Sequence, residues 1–98
     1  MKPALPTGFD IALKLLQQFD DSFVVDDVSN HFVQIIHSKT HDEVQIVGNT
    51  AGLIHIARQI LEVANRQVEG SHHHFDANGI ADECDIPVVV TLRQAEWD

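Results

Sequence analysis

Three residues at alternate positions, His72, His74 and Asp76, would lie on one face of an extended segment. Two imidazoles and a carboxylate are donors that suit Zn²⁺ or another transition metal. One strand rarely completes such a site alone, and no Cys or Glu is placed to join it. His31 and His37 could contribute from another strand only if the register allowed. The bland reading, in which these histidines contact solvent or a partner, is therefore favoured, and no metal or cofactor is expected. A metal-binding protein built on the His72/His74/Asp76 strand is kept as an alternative.

The acidic loop that follows has a second possible chemistry. Counted from His74, residues Asp76, Asn78, Gly79, Asp82 and Asp85 occupy positions 3, 5, 6, 9 and 12 of a calcium loop. The first position is His, the last is Asp, and the flanks read as strands rather than helices, so chance explains the match better. Cys84 is flanked by Glu83 and Asp85, which oppose a nucleophilic thiolate. No phosphate-binding glycine loop and no triad spacing is present. The expectation is a protein without catalytic activity.

Charge narrows the class further. Six Lys and Arg face fifteen Asp and Glu, for a formal net charge of −9. The acids cluster at Asp20, Asp21, Asp26 and Asp27, and again at Asp76, Asp82, Glu83 and Asp85. Such a surface repels phosphate backbones, which excludes direct nucleic-acid binding as the default, and it attracts a basic protein. Seven histidines make this charge sensitive to pH through their titration range. A single cysteine permits no intrachain disulfide. No apolar run approaches transmembrane length and residues 1–8 carry no signal-peptide core, so a soluble cytoplasmic protein is expected, with no membrane partner.

The elements that must position these residues form one domain over 1–98, with 1–6 and 94–98 irregular. Phe9, Ala12, Leu13, Leu16 and Phe19 recur at helical spacing, giving a short helix over 8–19 capped by Thr7 and stopped near Asp20-Asp21. Residues 22–28, 31–37 and 43–47 read as a three-stranded antiparallel meander, with a turn at Ser29-Asn30. Asn49 or Thr50 opens a long helix over 51–68. Its apolar face (Leu53, Ile56, Ala57, Ile60, Leu61, Ala64, Val68) should pack on the sheet, with Glu62 and Arg66 paired on the far side. Gly70 stops it. Residues 72–76 form a strand, Ala77-Asn78-Gly79 a turn, and 86–92 an apolar strand whose Val88-Val89-Val90 run suggests burial on both faces. The fold class is α+β in two layers: a mainly antiparallel sheet of about five strands, the long helix on one face and a shorter N-terminal helix.

The pattern Gly52-Leu53-x-x-Ile56-Ala57-x-x-Ile60-Leu61-x-Val63-Ala64 is followed by His72-x-His74-Phe75-Asp76 and an acidic turn before Ile86–Leu92. In this order it resembles the bacterial immunity protein 32 family, over about residues 46–92. The helix part of the pattern is weakly specific, and the H-x-H-x-D segment at this distance is more specific. The N-terminal helix has no counterpart in the resemblance. The resemblance implies a small α+β protein that binds and neutralises a cognate toxin, often a nuclease. By position, the implied contacts are His72, His74, Asp76, Asp82, Glu83 and Asp85. A homodimeric structural or regulatory domain is the remaining alternative.

Overall fold

The computed structural model describes residues 5–25, 28–76 and 83–94. Helix α1 spans Phe9–Asp21, strands β1 Val24–Val25 and β2 Val28–Ser29 form a hairpin, and β3 Val33–Ser38 pairs with β4 Glu43–Gly48. Helix α2 spans Thr50–Arg66 and is followed by β5 His72–Phe75, β6 Glu83–Cys84 and β7 Val88–Thr91. The class is α+β with two helices, as the periodicities imply.

The sheet differs from a single five-stranded layer. One piece has the order β4-β3-β6, and β5 and β7 pair antiparallel as a separate ribbon. β6 was not legible as a strand, and it runs parallel to β3 through Gln34↔Glu83 and Ile35↔Cys84. Strand β1 does not join the meander, since it pairs with β2 in a separate sheet. Val25 pairs with Val28, so the hairpin turns before Ser29-Asn30, and Asn30 instead donates its N–H to the Phe23 carbonyl. The β7 valines alternate rather than burying both faces: Val88 and Val90 are half-buried and Val89 is exposed.

The core lies where α2 crosses β3 and the β5–β7 ribbon. Val33, Ile35, Ile56 and Phe75 are its centre, with Cys84, Val88 and Val90 packed against them. Alternation along β3 delivers Val33 and Ile35 to one face. The core-facing stripe of α2 is rotated from the expected one. Gly52, Ile56 and Val63 are buried, Leu61 and Ala64 are half-buried, and Leu53, Ala57 and Ile60 face outward. The reason is steric as well as hydrophobic. A Cβ on Gly52 would drive into the Phe32 carbonyl and stand 2.9 Å from Val33 Cγ2, so only glycine lets the helix approach β3 at this point.

The helix ends also differ in detail. Asn49 caps α2 as expected, its Oδ1 accepting the Gly52 N–H at 2.7 Å. α2 stops at Gln67, which is left-handed at φ 53°, while Gly70 serves the next turn at φ 83°. Glu62 pairs with Arg58 rather than Arg66, whose guanidinium donates to the His72 carbonyl. α1 is preceded by Gly8, with no side-chain cap from Thr7, and it runs through Asp20 and Asp21 instead of stopping before them. Asp20 is 1% exposed. A carboxylate at a buried helix C-terminus needs donors that offset both burial and the helix dipole.

Candidate functional site

The residues expected to contact a partner fall into two groups. His72 and His74 are exposed on β5, on the same face, with their rings in edge contact at 5.1 Å. Asp76 follows the strand and is half-buried. His73 points the other way, its ring against Phe75 at 5.1 Å. Burial, then the nearby Arg66 charge, holds its pKa below the ordinary 6.5. Glu83 and Asp85 belong to the other sheet. The Glu83 carboxylate accepts from Gln34 Nε2 at 2.8 Å, and the Asp85 carboxylate accepts the His37 N–H at 3.0 Å. Asp85 also donates its own N–H to the Ile35 carbonyl at 2.8 Å. Asp85 therefore fastens β6 to β3 as well as carrying charge. Asp82 and the Ala77-Asn78-Gly79 turn lie outside the described residues, as does half of the calcium-like loop. Cys84 is half-buried, its Sγ donating to the Ile86 carbonyl at 3.1 Å.

His72, His74 and Asp76 do not converge as ligands. Among the described residues, the one group of three or more donor side chains with metal-ligand spacing is Asp20, His31 and His55. This cluster has a clear construction. The last turn of α1 presents Asp20 toward α2. His31 enters from the segment before β3, its Nε2 2.7 Å from Asp20 Oδ1. His55 and Arg58 come from α2, with His55 Nδ1 2.7 Å and Arg58 Nη1 2.8 Å from Oδ2. The two imidazoles are tilted against each other at 4.8 Å. Arg58 extends the network to Asp21 at 3.0 Å and to Glu62 at 2.9 Å, and Gln17 also donates to Glu62.

The electrostatics explain how Asp20 is tolerated. Burial pushes its carboxyl up, but the hydrogen bonds from His55, Arg58 and His31 outweigh burial, and the pKa ends below the ordinary 3.8. Burial likewise raises Glu62, and Arg58 with Gln17 brings it below 4.5. Glu62 first, then Asp20 and Asp21, hold the Arg58 guanidinium above its ordinary value. The same donors offset the unfavourable helix dipole at the end of α1. Sequence reasoning passed over this cluster, although two signals were present. Two acids stand together at a helix end, and His55, Arg58 and Glu62 recur at helical spacing beside the apolar stripe.

The segment running from β4 through α2 and the β5–β7 ribbon also carries the resemblance noted from sequence, and a family model, immunity protein 32, matches residues 43–93. The chain belongs to the immunity protein 32 family. The match spans just over half of the chain. It includes His55, Arg58 and Glu62 and every residue from His72 to Asp85. It leaves out α1, Asp20 and His31. No curated protein and no solved structure matches this immunity protein. Among its described residues, no helix is long and apolar enough to cross a membrane.

Proposed function

We propose that this immunity protein works by binding a cognate basic toxin, a nuclease for example, and blocking it, with no catalysis of its own. Membership of the immunity protein 32 family is the observation that carries the reading. The net charge of −9 supports it, because an acidic inhibitor suits the positive cleft of a protein that handles nucleic acid. The residues proposed for contact are His72, His74 and Asp76 together with Asp82, Glu83 and Asp85, and the contact would be made in the cytoplasm. Asp85 is the least suited to a purely electrostatic part, since its carboxylate is engaged by His37.

The test is association with a basic nuclease-type toxin domain, sought first in the neighbouring gene. The on-rate should fall as salt rises, and it should fall again in the Asp82→Asn/Glu83→Gln double variant, because rim charges act chiefly on encounter. A rate flat with ionic strength and unchanged in the double variant would remove the acidic surface from the site.

One observation favours a second reading, self-association. β4 is an edge strand of its sheet, and Val44 and Ile46 on it and Leu53 and Ile60 on α2 are exposed. Light scattering across concentration would show a homodimer if this surface pairs with itself.

A further inference from the structure

We propose that His31 Nε2, His55 Nδ1 and one carboxylate oxygen of Asp20 form a binding site for a single divalent first-row transition-metal ion. This inference is independent of toxin binding. The three donors come from three elements that are distant in sequence, the end of α1, the segment before β3 and the first half of α2. Their donor atoms all lie within 4.8 Å of one another. The two rings are tilted against each other beside the carboxylate, so an ion at about 2.0–2.2 Å from each donor would take the place of the two ring–carboxylate hydrogen bonds. Two imidazoles and one carboxylate select Zn²⁺, Fe²⁺ or Co²⁺ over Mg²⁺ and Ca²⁺, which prefer oxygen donors throughout.

Charge gives an independent reason. With the imidazoles neutral, three carboxylates (Asp20, Asp21 and Glu62) surround one guanidinium, that of Arg58. The cluster therefore carries more carboxylate than the guanidinium offsets, which suits a cation. Arg58 also settles which oxygen ligates. Its Nη1 holds Asp20 Oδ2, leaving Oδ1, beside His31, to face the ion. A ligating carboxylate held in this way by an outer hydrogen bond is the usual support of a metal site. Access is from the imidazole side: the Asp20 side chain is 2% exposed, that of His31 13% and that of His55 27%. Three protein donors leave at least one coordination position open on that side, to solvent or to a partner's side chain.

The competing arrangement is a closed hydrogen-bonded network in which both rings donate N–H to Asp20 and no ion enters. Zn²⁺ titration of the full chain by calorimetry at neutral pH, with Co²⁺ as a spectroscopic stand-in, separates the two. The metal site predicts one saturable equivalent and visible Co²⁺ ligand-field bands. Affinity should fall at least about 10-fold in His31→Ala and in His55→Ala, and it should be unchanged in the His72→Ala/His74→Ala double variant. Imidazole nitrogen resonances followed in the unmutated protein make the test independent of whether a variant folds. Those of His31 and His55 should shift on stoichiometric Zn²⁺. Absence of saturable binding, affinity retained in either single variant, affinity lost with His72 and His74, or unshifted His31 and His55 resonances would overturn the proposal.

Discussion

Helix α2 has two buried sides that are held by opposite physics. Gly52, Ile56 and Val63 face the sheet and are closed by apolar contact, with Phe75, Val33 and Ile35 across from them. His55, Arg58 and Glu62 face α1 and are closed by a charged network around Asp20. The apolar side is held by shape and burial, with no directional partner to satisfy. The polar side depends on each donor meeting its acceptor, since an unmatched charged group there would incur its full desolvation cost. A small protein can thus dock one helix on two partners without a second apolar core, at the cost of a joint that is sensitive to protonation.

That contrast can be tested by removing one group from each side. Phe75→Ala should have the largest effect, about 3–5 kcal/mol in urea unfolding, because Phe75 is fully buried at the centre of the sheet side. A loss below about 1 kcal/mol would mean that the ribbon carrying it is not part of the cooperative unit. Asp20→Asn keeps the shape, removes the charge and turns an amide N–H₂ toward donors, so about 2–3 kcal/mol should be lost. If the variant instead matched the parent in stability, the α1 joint would be held by apolar contact after all.

Acid should act more weakly than mutation, because protonation leaves the side chains in place. The folded pKa of Asp20 lies below 3.8 and that of Glu62 below 4.5. Their ionised forms therefore stabilise the fold fully above those values. The contribution is lost as pH falls through 4.5 and 3.8 toward the lowered folded values. Unfolding free energy measured from pH 6 to pH 3 should decline, and Asp20→Asn should flatten the slope. Equal slopes in parent and variant would show that other carboxylates carry the acid response. The smallest effect should come from Leu53→Ala. Leu53 is 46% exposed, so about 0.5 kcal/mol is expected, in contrast with the larger loss that its place in the helical pattern suggests.

The gap between those two figures for Leu53 shows where sequence reading stops. Periodicity located α2 and its apolar width, but the stripe from Leu53 to Val68 is broader than the contact. Which edge meets the sheet is decided by the Gly52 approach to β3 and by α1 occupying another side. The Asn49 cap and the alternation of Val33 and Ile35 were legible because each depends on neighbours a few residues away. β6 was not, since two residues become a strand only through pairing with Gln34 and Ile35 and through Asp85 reaching the His37 N–H. Asp20 was read as a helix stop because an acid at that end is ordinarily unfavourable, and its three partners are separated from it by 11 to 38 positions. Of the candidate contact surface, the shared face of His72 and His74 followed from strand alternation alone. The structural duty of Asp85 did not.

The parallel pairing of β6 with β3 also constrains the order in which the molecule can assemble. β3 and β4 are joined by a short turn and can pair as soon as both exist. β6 reaches β3 only across 49 positions, after β4, α2 and β5 have been made. During synthesis, the outer edge of β3 must therefore wait, with its backbone groups unpaired, until Glu83 and Cys84 have emerged. Closing that long loop should slow folding relative to the hairpin. A nascent or truncated chain ending before Glu83 would present β3 as an open edge, the kind of surface on which unfinished chains find one another.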